Sequence, residues 1–224
     1  MKVLAVSPHL DDAVFSAGAT LSAHARTGDK VTVLTCLTGN VAQPQGFALA
    51  CQLDKGLAAD VDYMALRREE DRDACAAIGA DALHWDFLEA PHRGYDSAPS
   101  LFGKQSSDDG LADALGRKLA EHLRENRYDR IYGPWGVGRH VDHILVRQAL
   151  ELVASDVVWW EDFPYALRED APPAGLTRRP VAAQDVVRKV EGALCYTTQV
   201  PFQFGSPEQA RRVLSAWQAE GLSR

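Results

Sequence analysis

Hydrophobic and polar positions along this chain follow two alternating periods. Lys2 to Val6 is a short apolar run that suits a buried strand, and Asp29 to Leu37 is a second of the same kind. Between them, Ala13 to Arg26 carries Val14, Ala17, Leu21 and Ala25 at helical spacing, and Gly28 stands where a helix C-cap belongs. Strand, crossover helix and strand make the βαβ unit of a parallel sheet. The pattern continues. Helices are expected at Tyr63 to Ile78, closed by Gly79, at Asp109 to Asn126 and at Val141 to Ala154. Strands are expected at Ala82 to Phe87, Arg130 to Gly133 and Asp156 to Trp160, at least five in all. The fold class is therefore α/β, with one Rossmann-like, mainly parallel sheet covered by helices on both faces.

Three stretches break the periodicity: Thr38 to Asp62, Leu88 to Ser107 and Glu161 to Pro180. Loops of that length inside a compact fold are usually functional, and α/β sheets place ligands where strands end and helices begin. These loops are expected to wall a pocket. The tail, Val181 to Ser223, reads as two helices around the apolar Val200 to Phe204 segment, an edge cover for the sheet. At 224 residues, with 46% hydrophobic and 25% charged, the chain reads as one domain, 1–224, and not as a disordered one.

Charge and cysteines narrow the field. The 31 acidic residues against 24 basic ones, a net charge of -7, argue against sequence-independent nucleic-acid binding. Cys36, Cys51, Cys75 and Cys195 form no CxxC and no disulfide-framework spacing, so they read as reduced thiols. No run approaches 18 apolar residues and the N-terminus is too short and polar for a signal peptide, so a cytoplasmic protein without membrane contact is expected.

Two clusters can carry chemistry. Pro8-His9-Leu10-Asp11-Asp12 follows the first strand and opens the first helix. Either Asp could simply cap that helix through its carboxylate. Trp135-Gly136-Val137-Gly138-Arg139-His140-Val141-Asp142-His143 follows a later strand and opens another helix, with His140 and His143 three apart on one face. Both clusters fall at C-terminal strand ends of one parallel sheet, where they can converge. Two or more His with carboxylates, drawn from two such edges, can form a three-ligand catalytic zinc site with an open position for water.

Together these residues resemble the zinc-dependent PIG-L/LmbE-type de-N-acetylases, which include enzymes acting on N-acetylglucosaminyl conjugates in thiol-cofactor, glycolipid and antibiotic biosynthesis. Pro-His-x-Asp-Asp and His-x-Asp-His carry the resemblance, and Arg67-Arg68-Glu69-Glu70-Asp71 looks like the family's Arg-x-x-Glu helix. Trp160 to Tyr165, with Lys189, Ala193 and Tyr196-Thr197-Thr198-Gln199, is similar to later family elements. The resemblance implies one Zn²⁺ per chain on His9, Asp12 and His143, with another divalent ion able to take the same site. It implies Asp11 as general base and His140 as the second acid or electrostatic group, with Asp142 fixing the His140 tautomer. One position departs from the family pattern. Ala13 stands where many members carry Glu directly after Asp-Asp.

Arg67, His92, Arg93, Trp135, Asp162 and Tyr165 are the candidate substrate-binding residues, from the Arg-rich helix and the long loops. His24, His84 and His122 read as surface or packing residues. The first strand-helix turn lacks GxGxxG, which disfavours a nucleotide-binding module. The reading is a metal-dependent hydrolase that removes an N-acyl group, acetyl in the simplest case, from an amino-sugar conjugate. An amidase of other specificity in secondary metabolism and a metal-containing binding protein without turnover are the alternatives. The expected partner is a small acylated sugar or conjugate, and a homo-oligomer is left open.

Overall fold

The computed structural model describes residues 1–223. In chain order β1 (Lys2–Ser7) leads through α1 (Asp12–Arg26) to β2 (Lys30–Thr35), α2 (Gly46–Leu53), α3 (Tyr63–Ile78), β3 (Asp81–His84), α4 (Ala98–Leu101) and α5 (Leu111–Glu125). The second half runs β4 (Arg130–Pro134), α6 (Val141–Val153), β5 (Val157–Trp160), β6 (Leu176–Pro180), α7 (Ala183–Leu194), α8 (Val200–Phe204), α9 (Pro207–Ala216) and β7 (Ala219–Ser223).

The strands form one sheet in the order β3-β2-β1-β4-β5-β7-β6. From β3 to β5 every pairing is parallel, and β7 alone runs antiparallel, between β5 and β6. The mainly parallel α/β class holds. Period-two alternation buries both faces of β1: Val3 and Ala5 join the core under α1, α3 and α7, while Leu4 and Val6 join the core under α5 and α6. Helix α1 turns Val14, Ala17 and Leu21 into the first core, and α3 ends on Gly79 in the left-handed conformation.

The tail departs from expectation. It holds three helices and a strand, and the loop after β5 supplies β6. Neither strand announces itself, because Leu-Thr-Arg-Arg-Pro and Ala-Glu-Gly-Leu-Ser lack β-branched alternation. Buried charge pins β7 instead. The Glu220 carboxylate accepts from Lys189 Nζ at 2.8 Å and from the amides of Ala19 and Thr20 at 3.0 and 2.8 Å, and Lys189 and Glu220 are both about 1% exposed. The next residue must be glycine, since a Cβ at Gly221 would collide with the Glu161 carboxylate that pairs with Arg178 at 2.7 Å.

Removing one partner of such a buried pair strands the other charge. Glu220→Ala is expected to lower the unfolding free energy by about 3–5 kcal/mol in urea titrations, whereas replacing both partners by apolar residues costs far less. Wild-type stability for Glu220→Ala would show that this pair does not tie β7 to α1 and α7.

Candidate active site

Strands β1 and β4 are adjacent, but the chain leaves them towards opposite halves of the sheet, so a crevice opens at their C-terminal ends. Both sequence clusters lie there. The turn after β1 folds back on itself: Ser7 Oγ donates to the His9 carbonyl at 2.8 Å and accepts from Ala13 N–H at 3.1 Å, and the His9 amide donates to Asp12 Oδ2 at 2.9 Å. Asp11 occupies the N-cap position of α1, yet its side chain makes no capping bond. Its carboxylate faces the cavity.

The turn after β4 is shaped by glycine. Gly136 and Gly138 have φ of 89° and 80°, and a Cβ on Gly138 would lie 2.5 Å from the Tyr165 ring. This turn delivers His140 to the N-cap of α6, where its Nδ1 accepts from the Asp142 amide at 3.3 Å, and places His143 one turn on. A backbone amide can only donate, so the His140 proton sits on Nε2. Burial, with His9 beside it, pushes the His140 imidazole down to about 3, so the ring is neutral.

The three imidazoles form a triangle with centroid separations of 5.1, 5.3 and 5.4 Å. Asp12 sits among them. Its Oδ2 is 3.1 Å from His9 Nδ1 and 3.3 Å from His143 Nε2, and one donor atom each from His9, Asp12 and His143 lies within 4.8 Å of the others. The outward nitrogens are held by further carboxylates: His9 Nε2 bonds Asp142 Oδ2 at 2.8 Å, and His143 Nδ1 bonds Asp162 Oδ1 at 2.8 Å. His143 Nε2 is buried and has no hydrogen-bond partner among the described residues. His9, His140 and Asp142 form a second close group, but both Asp142 oxygens already accept from His9, Arg93 and the Ala90 amide. The set with the orphaned nitrogen is the one fit for a cation.

Asp11 lies at the edge of this cluster, 6% exposed, with Arg67 Nη2 at 3.9 Å. Burial, reinforced by the charge of Asp12, pushes its carboxyl up to about 7, against the opposing pull of Arg67 and His9. Asp12 moves the other way: the positive charge of His143 and the bonds from His9 outweigh its burial and hold it well below the usual carboxylate range.

A cavity of about 270 Å³ opens over these groups, lined by His9, Asp11, Asp12, His140, Arg67, Glu89 and Tyr165 at its floor and by Phe47, Lys55, Leu101, Phe102 and Phe202 at its walls. The long loops do wall a pocket. Of the six residues expected to meet substrate, Arg67 and Tyr165 line it. Arg67 is 4% exposed, bonded to Glu89 at 2.5 Å and stacked 5.3 Å from the Tyr63 ring. The other four are corrected. His92 opens onto a neighbouring hollow behind Glu89 and Pro91. Trp135 lies under the Arg147 guanidinium at 4.1 Å. Asp162 is 1% exposed, because it accepts from Gly136 and Val137 amides at 2.6 and 2.7 Å as well as from His143. Arg93 reaches Asp142 and Asp109, not the cavity.

Asp142 is corrected in part: its backbone amide, and not its carboxylate, sets the His140 tautomer. Its carboxylate lies 4.0 Å from His140 Nδ1 and 2.8 Å from His9 Nε2, since residues two apart on a helix face differently. It orients His9. Sequence reasoning missed Glu89, Lys55 and the aromatic walls, which sit outside any motif, whereas Asp142 and Asp162 lay inside quoted segments with their partners misassigned. His24, His84 and His122 pack against Tyr132, Asp71 and Tyr128 respectively, as read.

The sequence and fold of this chain are similar to those of known proteins. Residues 4–154 match the PIG-L family, described as GlcNAc-PI de-N-acetylase, and the chain belongs to that family. A 2'-N-acetylparomamine deacetylase of Streptomyces fradiae is 33% identical over 213 residues, covering 88% of this chain and 73% of that protein. A 1D-myo-inositol 2-acetamido-2-deoxy-alpha-D-glucopyranoside deacetylase of Saccharopolyspora erythraea is 30% identical over 224 residues, covering 93% and 67%. Among solved structures, a deacetylase of the teicoplanin biosynthesis pathway superposes with TM-score 0.84 at 27% identity, over 100% of this chain and 97% of its own. A structure described as the zinc inhibited form of teicoplanin deacetylase superposes with TM-score 0.82 at 26% identity over the same shares. These proteins are deacetylases, hydrolases acting on amide bonds.

Asp162 ties the His143 ring to the turn after β4. Asp162→Ala leaves two amides and a ring N–H buried without partners, at about 1–3 kcal/mol each. The variant is expected to lose at least about 3 kcal/mol of unfolding free energy in urea titrations; a loss below about 1 kcal/mol would show that water or a rearranged turn replaces the carboxylate.

Proposed function

We propose that this member of the PIG-L family is a zinc-dependent hydrolase that removes an acetyl group from the nitrogen of an amino-sugar conjugate. The orphaned His143 Nε2, buried beside Asp12 and His9 at the switch point of the sheet, carries this reading. Nitrogen and oxygen donors of this mixture suit zinc, and each ligating imidazole is oriented by a carboxylate on its other nitrogen. The ligands are therefore His9, Asp12 and His143. Bound there, the metal supplies Lewis acidity, which activates water and polarises an acyl carbonyl.

The chain's own groups do the rest. Asp11, free of any capping bond and titrating near neutrality, accepts the proton of the attacking water at its carboxylate. As the water oxygen bonds to the acyl carbon, the carbonyl oxygen gains charge, and His140 donates its Nε2 proton in a hydrogen bond to it. When the C–N bond breaks, Asp11 returns the proton to the departing amine. His140 stays neutral throughout, so it acts as a dipole and not as the acid. Arg67 and Tyr165 contact the sugar from the cavity floor.

The relatives are named for N-acetylated amino-sugar conjugates, which supports an amino sugar on the acyl-bearing side. We read residues 1–224 as one catalytic domain working in the cytoplasm on a small molecule of secondary metabolism. No helix among the described residues is long and apolar enough to cross a membrane.

Protein purified without chelator is expected to hold about one zinc per chain by metal analysis. His143→Ala should abolish that content. Asp11→Ala should keep it and slow hydrolysis of an N-acetylglucosamine conjugate by about 10²–10⁴-fold in kcat. Fully folded wild-type protein that takes up no divalent metal would overturn the hydrolase reading, and an unchanged kcat in Asp11→Ala would remove Asp11 as the base.

A further inference from the structure

We infer that Arg93 is a positioning residue for the metal site, a brace through which the loop between β3 and α5 sets metal affinity. The inference rests on the reading of His9 as a metal ligand. Asp142 is fully buried, and its two oxygens have separate duties: Oδ2 takes His9 Nε2 at 2.8 Å and the Ala90 amide at 3.0 Å, while Oδ1 has Arg93 Nη2 at 2.8 Å as its hydrogen-bond partner. The orientation of the carboxylate against His9 is thus decided at Oδ1 by one side chain.

That side chain is itself immobilised. Arg93 Nη1 donates to the Leu88 carbonyl at 2.7 Å, and Nε and Nη2 donate to the two Asp109 oxygens at 3.2 and 3.0 Å. A planar guanidinium spread over four acceptor oxygens of three residues cannot rotate without breaking several bonds, which a point-charge ammonium could not reproduce. Asp109 is fixed in turn: it accepts from the Tyr95 hydroxyl at 2.9 Å and from the Leu111 amide at 3.2 Å, at the start of α5. An unbroken chain of charge-assisted bonds therefore runs from the first turn of α5 through Asp109, Arg93 and Asp142 to His9. None of Arg93, Asp109 or Tyr95 lines the cavity, so the chain acts from behind the metal ligands.

Outer partners of ligating histidines typically alter metal affinity by about 10–100-fold when removed. Arg93→Met is expected to weaken zinc binding within that range, measured by competition with a chromophoric chelator, and to shift the visible spectrum of the cobalt-substituted protein. Arg93→Lys should restore part of the affinity, since an ammonium at the Nη2 position can reach Asp142 and one Asp109 oxygen but cannot reproduce the bonds from Nε to Asp109 and from Nη1 to Leu88. Asp109→Asn, which touches neither Asp142 nor His9, should weaken binding several-fold and serves if Arg93→Met fails to fold. Zinc affinity and a cobalt spectrum equal to wild type in Arg93→Met, or in both Arg93→Lys and Asp109→Asn, would overturn the inference. His9→Ala separates the two readings. If it keeps wild-type zinc affinity, the metal-site reading has failed; if it loses zinc while the Arg93 and Asp109 variants do not, only the brace has failed.

Discussion

The adjacency of β1 and β4 is the constraint on which the rest depends. Two neighbouring parallel strands whose chains depart to opposite sides leave a gap between their following turns that no backbone can fill. What enters the gap must come from those turns, so residues 131 positions apart, His9 and His140, meet because of the strand order. The same gap is closed to solvent at its base, which makes any polar group placed there expensive unless it is paired.

Pairing explains the otherwise surplus acids. Asp142 and Asp162 each hold one nitrogen of an imidazole and anchor a loop by their remaining capacity, Asp142 to Ala90 and Arg93, Asp162 to Gly136 and Val137. Glu89 pairs with the Arg67 guanidinium. One carboxylate, Asp11, is left without a hydrogen bond to a neighbouring cation or amide, and it is the one whose proton can move near neutral pH. Under the proposed function, the reactive acid is the one that remains after every other buried acid of the site has been paired.

The parallel half of the fold was legible because its strands and helices obey clean periods and because both faces are buried. Strands β6 and β7 were not, since they are held by the Lys189–Glu220 and Arg178–Glu161 pairs and by one obligatory glycine, none of which leaves a periodic trace. In the site, residue types and their edge of the sheet were readable; partners were not. Asp142 follows His140 by two and precedes His143 by one, and only the helix geometry decides that it turns to His9 instead. Ala13 is a further case. It is 1% exposed within the core beneath α1, α3 and α7, so the departure from Glu falls at a buried apolar position.

Chemistry and specificity are consequently carried by different parts of the chain. The groups that would hold metal, move the proton and stabilise the oxyanion come from two short turns whose geometry the sheet dictates. The cavity walls come from α2, α4 and α8 and the segments around them, where Phe47, Leu101, Phe102 and Phe202 face Lys55 and Gln203. Phe102 and Phe202 are 41% and 57% exposed, an apolar rim around a polar floor. Family members that share the floor can therefore differ in substrate without altering a catalytic residue, because the discrimination lies in loops that the sheet does not constrain.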